Sequence, residues 1–374
     1  AFKGAMPQIH EIIYTDNITA QEKRKMYTYN MIHAVFAYIG SQKGYRYVAE
    51  CTADNEIREI AQNTLEEVSE GLQKEFGFTK VEMDAWNRQV MKNMSNELLS
   101  DGLIRVGGDP IRKLKREDRL TGPALLCRKN GIMPYYLAKA IAGAFIFTNP
   151  DDASCVKIQE YLSKNGIKQA VKKFCGLDRE VELISLIAGH YEKAVAGKGI
   201  GEDDGQVGII KKAYELGFKY EKTYKGCAQC VLAAFYELTG KTDAMLFQAA
   251  SGLSGGIAIT GDGSCGGYTG GVMYMGSQVG RRLERTPIDG DKVAQYRSYK
   301  MAQELHDKFI ETYGSVTCMD IHKEIFGKAY CLRTKEIREE FEAAGAHDDK
   351  CTTVVANACS WIAEILLDSG YIQV

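Results

Sequence analysis

A lysine, an asparagine and a histidine stand close together in the stretch RKMYTYNMIH, residues 24–33. If this stretch is helical, Lys25, His33 and Asn30 point roughly 0°, 80° and 140° around the axis, within less than half the circumference. Such a group suits removal of a proton from a hydroxyl-bearing carbon. A lysine of lowered pKa takes the proton, while the amide and imidazole hydrogen-bond the developing oxyanion. The same spacing also suits a solvated face with a core-packed histidine.

Thiols form a second set. Cys227 and Cys230 make a C-x-x-C at the expected start of a helix, where they share a face and the helix N-terminus lowers a thiol pKa. Cys265 lies among glycines, Cys318 follows YGSVT, and Cys331, Cys351 and Cys359 come later. Thiolates at such positions support reversible disulfides, zinc or an iron–sulfur cluster. A free cysteine is also often just a small core residue. No paired C-x-x-C ribbon is present, and His322 and His347 read as surface residues.

The elements that must position these groups read as helices. DNEIREIAQNTLEEVSEGLQKEFG, residues 54–77, has apolar residues at spacings of three and four and closes on Gly. DDASCVKIQEYLSKNGIKQAVKKFCG, residues 151–176, reads as two helices broken at Asn165-Gly166. CAQCVLAAFYELTG and CTTVVANACSWIAEILLDSG are helical runs closed by Gly. SGLSGGIAITGDGSCGGYTGG, residues 251–271, is too glycine-rich for an ordinary helix interior and predicts loop or close backbone packing. Within it GDGSCG matches a dinucleotide fingerprint literally, but the glycines that follow fit the helix of such a unit poorly. The expected class is mainly α, in two helical domains: residues 1–195, a Gly/Asp-rich linker at 196–208, and a cysteine-rich domain at 209–374.

With 374 residues and a formal charge of −2, the chain can bury sizeable cores. It concentrates no Lys and Arg as a nucleic-acid footprint would. The most apolar segment, YLAKAIAGAFIF, is too short to span a bilayer, and the N-terminus lacks a signal-peptide layout. The expectation is a cytoplasmic protein with neither nucleic-acid nor membrane partner; a homodimer is left open. Eleven cysteines fit free thiols or metal ligands better than a disulfide framework. The chain opens on Ala1 rather than Met, which leaves room for an upstream segment.

Lys-x4-Asn-x2-His, with TAQEKRKMYTYNMIHAVFAYIGSQKGY around it, resembles the signature of the long-chain polyol dehydrogenases, the mannitol dehydrogenase family. RVGGDPIRKLKREDRLTGPALLCRKNGIMPYYLAKAIAGAFIF and IQEYLSKNGIKQAVKKFCGLD are similar to the C-terminal domain of its mannitol-1-phosphate 5-dehydrogenases. The resemblance covers about residues 1 to 195. It implies a helical fold of the 6-phosphogluconate-dehydrogenase C-terminal type. It implies Lys25 as general base, with Asn30 and His33 orienting the substrate oxygen. It places Arg105, Arg112, Arg119 and Asn96 toward a polyol or its phosphate, and guanidinium groups suit phosphate. Gly108 stands where the family usually has Arg, and no Pro follows Asn96. The family binds NAD in a preceding Rossmann domain, and nothing before Lys25 can supply one.

YKGCAQCVLAAFYELTG, ASGLSGGIAITGDGSCGGYTGGVMYMG, YGSVTCMDI and Cys351 together resemble the C_GCAxxG_C_C family of redox-active proteins. That likeness covers about residues 210 to 365 and matches its pattern to Cys227, Cys265, Cys318 and Cys351, leaving Cys230 outside. It implies redox work or metal ligation, with an iron–sulfur cluster or another metal on those four thiols. Three readings stand at this point: part of an NAD-dependent polyol or polyol-phosphate dehydrogenase with an appended thiol domain, a non-enzymatic binding or assembly module derived from one, and a metal-binding electron-transfer protein.

Overall fold

A computed structural model describes Thr15 and residues 17–197 and 206–372. Of the expected linker at 196–208, residues 198–205 lie outside the described residues. Among the described residues the chain is helical without strands; its only extended pairings are two isolated bridges, Tyr47 with Gly102 and Ser264 with Thr317.

The helices begin and end where local chemistry dictates. Helix Asn55–Phe76 starts on Asp54, whose carboxylate accepts from the backbone of Glu56 and Ile57, and stops at left-handed Gly77. Helix Lys80–Met94 opens with a reciprocal Thr79–Glu82 cap. The run 153–175 is interrupted at Gly166, at φ 75° and ψ 170°, as its Asn-Gly pair predicts. Of the two expectations for the glycine-rich stretch, close backbone packing is the one met over Gly266–Val279, and it occurs within a helix. Packing overrides propensity there, because a Cβ on Gly266 would lie 2.1 Å from Cys227 Sγ. The glycines let this helix approach Cys227–Thr239 closely.

Two apolar cores result. The first draws on residues from Tyr27 to Ala188, with helix Met31–Gly40 at its centre. Every residue of that helix is buried except His33. A helix apolar on all sides must be central, so the partial exposure of His33 marks the one place where the helix meets the surface. The second core surrounds helix Cys351–Asp368. The stretch Ala346–Asp368 is long and apolar enough to cross a membrane, yet 78% of its most apolar window is buried inside the protein. It serves as a core helix.

The cores meet along helix Val181–Val195, whose Val181 belongs to the second core and whose Leu183, Ile184, Ile187 and Ala188 belong to the first. Met133, Tyr214, Phe218 and Ala356 fill the seam. Buried ions lock it. Arg128 pairs with Glu182 and, at 2.7 Å, with Asp349. Glu67 accepts from Lys211 at 2.8 Å and from the backbone of Tyr136 and Leu137.

Candidate functional site

The stretch 24–33 is not one regular α-helix. Helix Ile18–Lys25 passes into a π-turn, Met26–Asn30, before helix Met31–Gly40 begins. In an α-helix residues four apart stack; in a π-turn residues five apart do. Lys25 and Asn30 are five apart, at the two ends of this turn, so the roughly 140° between them on a regular helix no longer applies; Asn30 Nδ2 lies 3.7 Å from Met26 Sδ. The cause of the turn is local. Thr28 donates back to the Arg24 carbonyl at 2.6 Å and accepts from Trp86 Nε1 at 2.7 Å. The Arg24 guanidinium lies 4.2 Å from the Trp86 ring. A side chain that competes for a helical carbonyl loosens the regular ladder.

Lys25 is exposed, while Asn30 and His33 are half-buried. His33 Nε2 lies 3.2 Å from Asp101 Oδ2, and its ring packs edge-on to Tyr29. Burial lowers the His33 pKa, against the opposing pull of Asp101, which favours the neutral imidazole. Asp101 also pairs with Arg105. It thus ties the expected orienting histidine to an expected phosphate-binding arginine, a link with no short-range signal in the sequence.

The other expected substrate groups have structural partners. Asn96 caps a 3-10 turn, accepting from Leu98 N at 3.1 Å. Arg112 pairs with Asp109 at 3.3 Å, and the partly buried Arg119 with Asp118 at 2.9 Å. Lys113, which the sequence reading passed over, is a buried amine between those arginines, donating to the Gly108 carbonyl. Burial first, then Arg112 and Arg119, lower its pKa to about 8. Gly108, where an arginine is usual in the family, exposes its carbonyl to this ammonium.

The second half builds a cavity of about 220 Å³, lined by Cys227, Cys265, Cys318 and Cys351. Four cysteines far apart in the chain are brought to one place by three devices. Cys227 opens helix Cys227–Thr239. The Ser264–Thr317 bridge sets Cys265 beside Cys318: Cys265 N donates to Val316 O at 2.8 Å and Cys318 N to Gly263 O at 3.0 Å. Cys351 follows a second π-turn, Ala346–Lys350, at the start of the core helix. A run of positive φ at Gly255, Gly256, Ile257, Ala258 and Ile259 forms the wall. Left-handed backbone costs about 1–2 kcal/mol per residue other than glycine, so this turn is strained beside the cavity, as functional sites often are. It also removes the literal dinucleotide fingerprint, because GIAI is this turn and not a strand.

The thiols differ from expectation in charge. The helix N-terminus does not prevail at Cys227: burial pushes its thiol up, and does the same at Cys230, Cys318 and Cys351. Burial raises Cys265 to about 11. Cys230 does not line the cavity; its thiol donates to Lys225 O at 3.2 Å. His322 and His347 are not surface residues. His322 is 3% exposed, and burial lowers its pKa to about 4. Its Nε2 lies 3.5 Å from Cys318 Sγ and 3.8 Å from Cys351 Sγ. His347 lies between Glu221 and Glu342, at 3.6 and 2.9 Å. His322 follows an apolar spacing with Ile321 and Ile325 that the fold turns inward, whereas His347 is half-buried by the two glutamates beside it. Among the described residues no three His, Cys, Asp or Glu side chains already close around one point as a metal set.

Residues 17–195 match the family described as "Mannitol dehydrogenase C-terminal domain", and residues 225–365 the family described as "Putative redox-active protein (C_GCAxxG_C_C)". Among curated proteins, a mannitol-1-phosphate 5-dehydrogenase of Caldanaerobacter subterraneus subsp. tengcongensis is 36% identical over 184 residues, 49% of this chain and 48% of the relative. That of Bacillus velezensis is 33% identical over 186 residues, 50% of this chain and 49% of the relative. That of Thermoanaerobacter pseudethanolicus is 34% identical over 178 residues, 48% and 46% respectively. The chain spans about half the length of the curated relatives it matches.

Proposed function

Because the chain carries a mannitol dehydrogenase C-terminal domain followed by a C_GCAxxG_C_C domain, we propose that residues 17–195 act as the substrate domain of an oxidoreductase for polyols or polyol phosphates. The observation that supports this reading is that the match to the mannitol dehydrogenase C-terminal domain spans the Lys25, Asn30 and His33 motif, with His33 held by Asp101 at 3.2 Å.

In this reading Lys25, as the free amine, takes the hydroxyl proton and returns it to solvent. Asn30 and His33 hold the substrate oxygen as negative charge grows on it. Arg105, paired with Asp101, suits a phosphate; Arg112, Arg119 and Asn96, held by Asp109, Asp118 and Leu98 N, enter this reading only as the substrate contacts that the family likeness implies. NAD, when bound, supplies the hydride acceptor. Among the described residues no strand, glycine turn and helix combine to hold it, so the chain's own part is binding, orientation and proton handling. The thiol half adds a redox or metal function.

The test is Lys25→Ala in the full-length gene product, assayed for NAD reduction with mannitol and mannitol 1-phosphate. We expect at least a roughly hundredfold loss of kcat, the scale of a general base. Unchanged turnover removes the assignment.

A further inference from the structure

The thiol cavity holds more uncompensated chemistry than its cysteines account for. Glu221 Oε2, Ser254 Oγ and His322 Nδ1 are buried without a hydrogen-bond partner, and all three residues line it. Buried polar groups are rarely left so, and their clustering points to a ligand.

The geometry around His322 says which kind. A tetrahedral zinc-class ion binds sulfur at about 2.3 Å and nitrogen at about 2.0–2.1 Å, which separates a ligating nitrogen and sulfur by roughly 3.6 Å. The Nε2 of His322 stands 3.5 and 3.8 Å from the sulfurs of Cys318 and Cys351. Both separations are those of a tetrahedron's edge. It is Nε2, not Nδ1, that faces the two thiols, so the neutral imidazole would ligate through Nε2. Cys265 is held beside Cys318 by the Ser264–Thr317 bridge.

We propose that Cys318, Cys351 and His322 bind a thiophilic divalent cation, with Cys265 as fourth ligand. This site goes beyond the four-cysteine pattern, because the imidazole replaces one thiol and Cys227 remains outside. The donors are not yet closed around a point; the ion draws them in by side-chain rotation. Binding releases the protons of all three thiols. The dication held by three thiolates and one neutral imidazole then carries a single net negative charge. Lys225, Arg338 and His347 line the same cavity and offset that charge together with that of Glu221.

The inference is independent of the dehydrogenase reading, since its readout is spectroscopic. The reduced full chain is titrated with Co²⁺ under anaerobic conditions and then with Zn²⁺. One equivalent of Co²⁺ gives the intense visible bands of tetrahedral thiolate-bound cobalt, and Zn²⁺ removes them. His322→Ala and Cys351→Ser each weaken Co²⁺ binding at least about a hundredfold, since losing even outer-shell partners costs roughly 10–100-fold. His322→Cys restores binding with bands shifted to the all-thiolate pattern, which keeps the test decisive should His322→Ala fail to fold. Absence of stoichiometric bands, wild-type affinity in His322→Ala, or an unshifted spectrum in His322→Cys overturns the proposal.

Discussion

The two π-turns among the described residues serve different environments. Met26–Asn30 leads an exposed amine, an amide and an imidazole along the surface edge of a helix otherwise buried. Ala346–Lys350 leads Cys351 into an enclosed cavity while its Asp349 reaches across to Arg128 of the first half. The first keeps Lys25 exposed and Asn30 and His33 half-buried. In the second, burial raises the pKa of the thiols and so favours their neutral form. The same backbone device therefore presents polar groups in one place and encloses nucleophiles in the other. What differs is how much apolar surface surrounds it.

The largest effect is expected at the seam that joins these regions. Arg128→Ala leaves Glu182 buried and unpaired, and should cost about 3–5 kcal/mol. Urea denaturation measures it. If the halves are energetically independent, two transitions appear and only one moves.

Alkylation of the cavity sharpens the contrast in exposure. At neutral pH, Cys265, raised to about 11, carries roughly a hundredfold less thiolate than an ordinary cysteine. Mass spectrometry of the folded chain after brief iodoacetamide treatment should find Cys265 unlabelled, and labelled once urea is added. Equal labelling in both states would erase the distinction between an enclosed and an open site.

Thr28→Val probes the first π-turn. It strands the Trp86 indole N–H, now donating to Thr28, at a cost of about 1–3 kcal/mol. If the turn relaxes to a regular helix, kcat in the full-length gene product falls by more than the stability loss explains. Retained kcat would show that the π-turn does not set the register of Lys25 and Asn30.

The smallest effect is in pH. Burial works against charge on His347, but Glu221 and Glu342 outweigh it and raise its pKa, with Lys225 also lining the site. A raised folded pKa gives stability that is full below the ordinary histidine range and lost as pH rises through the folded value. Glu180 in the first half behaves oppositely. Burial opposes its charge, yet Arg116 and the Asp178 N–H hold it down to about 2, so its contribution is present above the ordinary carboxylate range and lost on acidification. Thermal melts should therefore slope downward above neutrality, and His347→Gln should flatten that limb and leave the acid limb intact.

Much of the helical frame was legible from local rules. Asp54 and Gly77 bracket a helix because a carboxylate caps backbone N–H groups and glycine accepts a left-handed φ. Asn165-Gly166 marks a kink for the same reason. Gly266–Val279 was not legible as a helix, because its stability comes from close contact with Cys227–Thr239, which propensity does not count. His322 was misplaced at the surface for a related reason. Its neighbours Ile321 and Ile325 mark an inward face, but only Phe326, Tyr330 and Phe341 around the ring complete its enclosure.

The sequence by itself determined which residue types are available for chemistry, where most of the capped helices start and stop, and that the thiols concentrate in the second half, because these depend on residue type and on contacts within a turn or two. Tertiary structure alone decided that Trp86 braces the π-turn after Lys25, that Asp101 joins His33 to Arg105, that four distant cysteines face one cavity with His322, and that burial raises the pKa of their thiols. Those outcomes depend on burial and on contacts between residues far apart in the chain, and both are set only when the two cores close.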